Sequence, residues 1–327
     1  QTIIDCLLKE AEKYQVQVMM HTEVVSLDSF VVSHEPLDGS PTSSGVDRAL
    51  ADSNKADRQF KLEVSISGST DYRLLTTDFL CVASGGYPKA VMFHWLKKTG
   101  HTIDDPVPSL FTFNMPGNAL NSLMGISVEN ATVRIAGTKL ESGGPLLITH
   151  WGLSGPAILK LSAWGARDLA ACNYAFTAIV NWFPGYNEQT LRERFVQLRF
   201  DMAAQKMVNK NPFALPARLW EYFLGQSGIK EETRWADLPA ALQNKLVKIL
   251  CAQDCPVKGK TTFKEEFVTA GGVKLGEIDA NTMMSKLLPG LFFAGEILNV
   301  DGVTGGFNFQ HAWTSGWIAA KTISQGW

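Results

Sequence analysis

The sequence predicts an α/β protein of two domains, in which a parallel sheet is interrupted by an inserted domain. The chain opens on a helical pattern followed by an alternating one, and two short apolar runs, at residues 79–83 and 291–294, have the character of buried strands. Each apolar run leads into a glycine-rich turn. Residues between about 109 and 265 have a different character, with strand patterns first and helical patterns after them.

The N-terminal pattern predicts a helix over residues 2–14 that leads into a strand over residues 16–20. Apolar residues recur at helical spacing in the first segment: Ile3, Ile4, Leu7, Leu8 and Ala11. Val16, Val18 and Met20 then alternate with polar residues. A parallel sheet needs a strand before such a crossover helix. Because the chain begins at Gln1, we expect this domain to be truncated at its N-terminus.

Composition excludes several classes of protein. The 327 residues are 45% hydrophobic and 19% charged, with a formal net charge of -2, so we expect no nucleic-acid partner and a small-molecule substrate instead. No apolar run approaches the roughly 18 residues needed to cross a bilayer, and no signal peptide opens the chain. We therefore expect a cytoplasmic protein with no membrane partner, whose oligomeric state the sequence leaves open.

The 5 cysteines are odd in number and mostly isolated, which favours reduced thiols. Cys251 and Cys255 are separated by three residues, but no second pair or nearby histidine completes a zinc site. We predict no metal site, and we interpret this pair as two positions at the end of a helix.

Residues 33–59 are rich in Ser, Asp, Gly and Pro, which predicts a surface excursion, with a functional lid as the alternative. Alternating apolar residues at 60–66 and a partner segment at 72–76 then predict a small antiparallel ribbon. In the inserted domain we predict strands at 128–135 and 146–149, and helices at 157–169, 188–207 and 238–251.

The strongest local signal lies at residues 290–310. A buried strand ends at Gly295 and Glu296, and Gly302, Gly305 and Gly306 lead into a helix predicted over 308–323. Unpaired amides and the helix dipole would favour an anion or an electron-rich ring edge there. Glu296 and Asp301 could hold ribose or ribityl hydroxyls. The alternative is an ordinary glycine-rich turn with solvated carboxylates.

Several runs here resemble the C-terminal signature of the HI0933-like (BaiN or aminoacetone oxidase-like) bacterial flavoprotein family. These runs are Val268-Thr269-Ala270-Gly271-Gly272-Val273, Pro289-Gly290-Leu291-Phe292-Phe293-Ala294-Gly295-Glu296 and Thr304-Gly305-Gly306-Phe307-Asn308. Upstream, Ser84-Gly85-Gly86-Tyr87-Pro88 and Thr149-His150-Trp151-Gly152-Leu153-Ser154-Gly155-Pro156 resemble family motifs in the same order. The resemblance spans nearly the whole chain.

The resemblance implies an FAD/NAD(P)-binding, Rossmann-like domain of the glutathione-reductase type, with an inserted substrate-side domain of strands and a helical cap. Residues 1–108 and 266–327 would form the FAD domain, and residues 109–265 the insert. FAD would be the cofactor, with NAD(P)H as a co-substrate. The residues implied or predicted to bind the cofactor are Val24, Val25, Ser84, Gly85, Gly86, Gly295, Glu296, Asp301, Gly302, Gly305, Gly306, Phe307 and Asn308.

Two departures from the family pattern bear on cofactor binding. The opening glycine-rich turn that cradles the pyrophosphate in the family is absent from the sequence, so we expect this chain to hold FAD weakly or not at all. A further family stretch rich in Gly, Ser and Thr, which commonly follows the Gly-Gly-x-x-Pro motif, is replaced here by a predicted helix over residues 89–98.

No residue is identified as catalytic, but His150 and His311 are candidate proton donors, each with a structural role as the alternative. His101 is predicted to satisfy carbonyls at a helix end. Ser154 lies in a Gly-x-Ser-x-Pro run, which does not match a hydrolase elbow, and is predicted to cap the next helix ahead of Pro156. The tryptophans, among them Trp151, Trp164, Trp313 and Trp317, are predicted to pack in the core.

These observations favour a flavin-dependent oxidoreductase that moves a hydride between flavin and either NAD(P)H or an organic substrate. The alternatives are a flavin-binding sensor or interaction protein without turnover, and an inactive fragment that holds no cofactor.

Overall fold

The structure is a computed structural model that describes residues 2–31, 58–67, 72–261 and 268–326. Of the surface excursion predicted over residues 33–59, residues 33–57 lie outside the described residues. Mixed α/β character is confirmed by the order of the elements.

The N-terminal part is a helix followed by a three-stranded antiparallel sheet. Helix α1 spans Thr2–Lys13, and strands β1 (Thr22–Val31), β2 (Arg58–Ile66) and β3 (Tyr72–Thr77) pair in that order. The predicted ribbon is confirmed, because Phe60, Leu62 and Val64 of β2 alternate inward as expected.

The prediction of a strand over residues 16–20 is wrong. Val16, Val18 and Met20 are all more than half exposed, and β1 begins only at Thr22. Alternation forms a strand only where a neighbouring strand accepts its backbone hydrogen bonds, and none of the described strands pairs with this segment. The apolar face of α1 is also exposed, and none of its residues is buried.

Two short strands form a parallel pair, as the two apolar runs predicted. Strand β4 (Leu80–Val82) pairs in parallel with β14 (Leu291–Phe293), so that both carboxyl ends point the same way. The segment predicted as a helix over 89–98 is a 3₁₀ helix, Ala90–Phe93, that continues into α2 (His94–Lys98). Strands β5 (Ile103–Ser109) and β13 (Val268–Val273) pair antiparallel beside them.

Glycine is required where β13 passes the loop after β14. Gly272 has φ +135°, and a Cβ added there would lie 2.4 Å from the carbonyl oxygen of Ile297. Any side chain would therefore push this loop away from the sheet.

The middle of the chain forms a seven-stranded sheet and a helical cap. The strands are β6 (Thr112–Asn114), β7 (Ser127–Ile135), β8 (Glu141–Ile148), β9 (Gly152–Ser154), β10 (Ala175–Asn181), β11 (Gln253–Lys258) and β12 (Lys260–Thr261). Their order is β11-β10-β7-β8-β9-β6-β12 among the described residues. The helices are α3 (Pro156–Trp164), α4 (Ala166–Ala171), α5 (Glu188–Asp201), α6 (Ala217–Ser227) and α7 (Ala240–Ala252).

The chain builds two hydrophobic cores. One lies between the seven-stranded sheet and its helices, and its largest fully buried side chains include Trp182, Trp220 and Trp235. The other lies between β2, β4, β14 and α2, and it includes Phe60, Phe93, Leu96, Phe292 and Phe293. The second core is the one that supports the parallel strands.

The helix predicted over residues 157–169 is two helices that meet at Gly165, because this glycine lets the chain pass close to Leu140. An added Cβ at Gly165 would be 2.7 Å from Leu140 Cδ1. Pro156 is the first residue of α3 as predicted, but the N-cap is Gly155 at φ +94°. Ser154 lies in β9 and makes no cap, so that prediction is wrong.

The last helix, α8 (Phe307–Ser324), is more exposed than its pattern predicts. Of its residues only Ser315 and Ala319 are buried. Trp313 and Trp317 are exposed by 61% and 64%, and Trp164 of α3 is exposed by 60%. The prediction that these three tryptophans pack in the core is wrong, and Trp151 is half-buried.

Candidate functional site

A cavity of about 710 Å³ lies at the carboxyl ends of β4 and β14. In open parallel sheets this edge is where ligands bind. The residues that border the cavity are Ala83, Gly85, Leu110, Val268, Ala294, Gly295, Glu296, Val303, Thr304, Gly305, Gly306, Asn308, Phe309, Ala312 and Gly316. The C-terminal strand, the glycine turn and the first half of α8 therefore supply most of its wall.

The glycine turn places the start of α8 at the cavity. Gly305 has φ +120°, and Gly306, the N-cap of α8, has φ +87°, which are conformations that glycine adopts without strain. Gly306 has no side chain that could accept a hydrogen bond from the first turn of the helix. The amides in the first turn of α8 thus remain available to a ligand, and the helix dipole adds partial positive charge at this end of the helix.

Asn308 closes the turn on itself. Its Oδ1 accepts a hydrogen bond from the Gly302 amide at 2.7 Å, and its Nδ2 donates to the Gly302 carbonyl at 3.1 Å. One side chain thereby ties the backbone of the loop at Gly302 to the first turn of α8.

Glu296 contributes a half-buried carboxyl group to the cavity. Burial raises the pKa of Glu296 above its usual value, while the nearby His311 and a hydrogen bond from the Gly86 amide act to lower it. Gly86 is close to this side chain, since a Cβ added there would be 3.6 Å from Glu296 Cβ. The carboxyl is therefore held in place and is easier to protonate than an exposed one.

A buried hydroxyl fixes the start of the Gly295 turn. Ser315 of α8 accepts a hydrogen bond from the Gly295 amide at 2.9 Å and donates to the His311 carbonyl at 2.7 Å. The His311 ring nitrogen Nε2 lies 3.3 Å from the Gly295 carbonyl oxygen. The side chains of Ser315 and His311 thus connect α8 to the junction between the strand and the turn.

A second cavity, of about 630 Å³, adjoins the first at Ala83. It is bordered by Thr22, Glu23, Val24, Leu62, Leu80, Cys81, Val82, Ala83, Ser84, Tyr87, Met92 and Trp95. The predicted residues thus divide between two spaces, with Val24 and Ser84 at the second cavity and Gly85 at the first.

The remaining predicted cofactor residues lie beside these spaces without bordering either. Asp301 accepts a hydrogen bond from the buried Ser109 hydroxyl at 2.9 Å, which anchors the loop. Phe307 is 58% exposed, and Val25 lies at an irregularity in the pairing of β1 with β2. The Gly86 amide donates a hydrogen bond to Glu296, and the Gly302 amide donates one to Asn308 Oδ1.

His150 and His101 lie in different environments. His150 is exposed in the turn between β8 and β9, with its ring 3.8 Å from that of Trp151. His101 is 3% exposed, and its ring nitrogens contact Thr99 Oγ1 at 2.7 Å and Ser285 Oγ at 2.8 Å. The prediction that His101 satisfies helix-end carbonyls is therefore wrong, because it binds two hydroxyls instead.

The site also contains residues that the sequence did not single out. Ala312, Gly316 and Phe309 of α8 border the first cavity, and Met92 and Trp95 border the second. The small residues at i and i+4 on α8 are the one sequence signal that could have indicated a close approach by a ligand.

Within the described residues, no group of three or more His, Cys, Asp or Glu side chains could hold a metal ion. Burial raises the pKa of Cys255 to about 12 and that of Cys251 to about 11. Both thiols therefore stay protonated near neutral pH.

FAD is the group that the motifs imply, and the residues fit it. A Cβ added at Gly85 or Gly306 would meet no atom within 4 Å, so glycine at these positions leaves the backbone open to the cavity. The first-turn amides of α8 can meet the electron-rich edge of a flavin ring, and Glu296 can bond a hydroxyl.

The fold and site define an α/β protein with a cavity at the carboxyl ends of two parallel strands and a second cavity that adjoins it at Ala83. Residues 107–268 match the family model described as "HI0933-like protein barrel and H2TH domain". This match confirms the resemblance to the HI0933-like family that the motifs indicated. This family is of the FAD-binding oxidoreductase type.

The chain is similar to proteins from three organisms. The chain is 28% identical over 327 residues to the ribosomal RNA dihydrouridine synthase of Haemophilus influenzae, covering 99% of this chain and 72% of that protein. It is 32% identical over 215 residues to the Escherichia coli ribosomal RNA dihydrouridine synthase, covering 65% of this chain and 50% of that protein. It is 24% identical over 240 residues to the 3-dehydro-bile acid delta(4,6)-reductase of Clostridium scindens, covering 70% of this chain and 56% of that protein.

In the part of the chain that the structure describes, none of the helices combines the length and apolar character needed to span a membrane.

Proposed function

We propose that this chain carries out FAD-dependent hydride transfer between flavin and either NAD(P)H or an organic substrate. The observation that carries the proposal is the cavity of about 710 Å³ where β14, the glycine turn and the start of α8 meet. We further propose that residues 1–108 and 266–327 belong to a Rossmann-like FAD domain and that the reaction takes place in the cytoplasm.

FAD, when bound, supplies the hydride-accepting and hydride-donating ring. The residues of the chain determine how that ring is held. The first-turn amides of α8 and the dipole of this helix favour negative charge at the pyrimidine edge of the ring, which stabilises the reduced form. Leu110, Val268 and Ala294 form an apolar part of the cavity wall, which would limit the access of water to the reacting ring.

Glu296 orients the ligand through a hydroxyl group. The Gly86 amide fixes one side of its carboxyl, which leaves the remaining oxygen lone pairs for a ribityl hydroxyl. His311 is close enough to act on Glu296 electrostatically, and it acts to lower the pKa of that carboxyl. We keep His311 as a candidate proton donor, and His150 as a second candidate at the insert.

The names of the relatives suggest the kind of bond that is reduced. A dihydrouridine differs from a uridine by two hydrogens across a ring double bond, and the bile acid relative is named as a reductase. Both names fit hydride addition to a carbon–carbon double bond that a nearby carbonyl activates. We propose this reaction class for the organic substrate, which we expect to be a small molecule.

The test is a visible absorption spectrum of the purified full-length protein before and after anaerobic addition of NADPH. A flavin spectrum that bleaches supports the proposal. Bound flavin that stays oxidised with NADPH and with enone substrates would favour a sensor without turnover. A protein that binds no flavin after incubation with FAD would refute the proposal.

A second candidate substrate is uridine in ribosomal RNA, because two relatives bear that name. It conflicts with our prediction of no nucleic-acid partner, which rests on the formal charge of -2. The distinguishing measurement is mass spectrometry of digested ribosomal RNA from cells with and without the gene. A dihydrouridine that disappears with the gene would show that the prediction is wrong, and an unchanged dihydrouridine content would favour a small molecule.

A further inference from the structure

We infer that Leu110 packs against the flavin ring and that hydroxyl groups on both sides of it hold it there in a strained, left-handed backbone conformation. The inference rests on the proposed function. It concerns the point at which the chain leaves β5 and enters the insert, where Leu110 borders the first cavity.

The backbone of Leu110 has an unusual conformation. Its φ is +57°, a region in which the Cβ of a residue is too close to the following carbonyl oxygen. Glycine or asparagine is the ordinary choice at such a position. Of the non-glycine residues with positive φ in the described ranges, Leu110 is the one that borders the first cavity. The chain thus keeps a leucine side chain at the cavity in spite of the strain.

The residue before Leu110 is fixed to the loop that follows β14. Ser109 is fully buried, and its hydroxyl donates a hydrogen bond to Asp301 Oδ2 at 2.9 Å. The backbone of Ser109 pairs with Val268 of β13. Ser109 therefore cannot rotate to relieve the strain at Leu110 without breaking contacts to both elements.

The residue after Leu110 is fixed to the insert. The Phe111 amide donates a hydrogen bond at 2.9 Å to the hydroxyl of Ser162, a fully buried residue of α3. The Phe111 ring packs edge-on against Tyr174, with ring centroids 5.2 Å apart. Strain in a backbone persists where the surrounding contacts maintain it, and such residues are concentrated at ligand sites.

The side chain of Leu110 is suited to contact a ring. Leu110 is half-buried between two neighbours, Ser109 and Phe111, that are 0% and 1% exposed. The cavity that it borders also contains the glycine turn and the first turn of α8, and Val268 adds apolar surface from the strand beside β5. Apolar side chains such as these fit the face of a flavin ring better than its ribityl hydroxyls or phosphates.

Two variants separate the side-chain contact from the strain. Leu110→Ala and Leu110→Gly both lose the contact, and only the glycine relieves the backbone. Both proteins should bind FAD about fivefold to thirtyfold more weakly, the range expected when an apolar side chain of this size loses part of its contact. FMN should weaken by the same factor, because it has the same ring. Leu110→Gly should unfold at a higher denaturant concentration than Leu110→Ala.

A third variant tests how Leu110 is held. Ser162→Ala removes the acceptor for the Phe111 amide but changes no residue that borders either cavity. It should weaken FAD binding severalfold in the wild-type background and not in Leu110→Gly, which has no side chain left to position. Ser227→Ala is the matched control, because this buried hydroxyl of the insert donates to the Phe223 carbonyl at 2.8 Å. It should lower stability and leave FAD affinity unchanged.

The experiment titrates the flavin-free full-length protein with FAD and with FMN, follows flavin fluorescence, and measures the denaturation midpoint of the same samples by circular dichroism. Ala214→Gly is the control for strain, since Ala214 has φ +53° and borders neither cavity. Its midpoint should rise while FAD affinity stays the same. If Leu110→Ala does not fold, Leu110→Asn takes its place, because asparagine tolerates positive φ and puts a polar amide where the apolar contact was. It should weaken FAD and FMN alike.

Unchanged FAD affinity in the Leu110 variants would overturn the inference, and so would a loss confined to FAD, because FMN carries the same ring. Equal denaturation midpoints for Leu110→Ala and Leu110→Gly would refute the strained conformation. A Ser162→Ala protein that binds FAD as the wild type does would refute the role of the flanking hydroxyl. A wild-type protein that binds neither flavin would instead refute the proposed function itself, and the inference with it.

Discussion

The buried hydroxyl of Ser315 in α8 accepts a hydrogen bond from the amide of Gly295 at 2.9 Å. It joins the end of the parallel strand β14 to the helix whose N-terminus faces the cavity. The same hydroxyl donates a hydrogen bond to the His311 carbonyl, so it acts as both acceptor and donor.

Replacing Ser315 with Ala should lower the free energy of unfolding by about 1–3 kcal/mol, because the buried Gly295 amide would lose its partner. Chemical denaturation measures this change. Ser324→Ala on the same helix is the control, since its hydroxyl donates to the Lys321 carbonyl in an exposed setting and its loss should cost little. Equal effects at the two positions would contradict the role assigned to Ser315.

The Asn308 side chain should matter more for flavin binding than for stability. Asn308→Ala removes both bonds to Gly302, which frees the turn and weakens FAD binding severalfold. Titration with FAD gives the affinity, and thermal unfolding gives the stability. Gln310→Ala, which removes an exposed bond to Thr314, should change neither quantity.

Two glycines of α8 should respond to alanine in opposite ways. Gly306→Ala places a side chain at φ +87°, so it should destabilise the helix start by about 1–2 kcal/mol and weaken FAD binding. Gly316 lies inside the helix with an ordinary φ, and an added Cβ meets no atom within 4 Å. Gly316→Ala should therefore stabilise the protein by about 0.5–1 kcal/mol. Denaturation of the two variants side by side checks this; destabilisation of both would contradict it.

His101 should make the protein sensitive to acid. Burial lowers the pKa of His101 below its usual value, and Glu277 offsets only part of that effect. The unfolded chain then binds the proton more readily than the folded one, so stability falls as pH drops below about 6.5 towards the folded pKa. The hydroxyl of Ser285 accepts hydrogen bonds from the Leu287 and Leu288 amides, so its own hydrogen is directed to His101 Nε2, which keeps the ring neutral.

The measurement is the free energy of unfolding between pH 8 and pH 5 for the wild type and for His101→Gln. The variant should be less stable at pH 8 but should lose less stability on acidification. His94→Gln, at an exposed position on α2, should retain the wild-type dependence on pH. A His101→Gln protein with the same pH dependence as the wild type would refute this origin of the acid sensitivity.

The elements predicted correctly are those whose pattern agrees with their surroundings. Strand β2 alternates in sequence, and it has a partner on each side. Residues 16–20 alternate equally well, yet no described strand pairs with them, so they form none. The apolar face of α8 illustrates the same point, because helical spacing places residues on one face but does not supply an element to cover it.

The sequence by itself determined the α/β character, the glycine turn at Gly305 and Gly306, and the motifs that identify the family. These depend on local properties, namely periodicity and the freedom of glycine to adopt positive φ. Only the tertiary structure decided that Trp95 and Met92 border a cavity with Val24, and that Ser315 satisfies Gly295. Contacts between residues far apart in the chain depend on how the elements pack, and the pattern within each element does not contain that information.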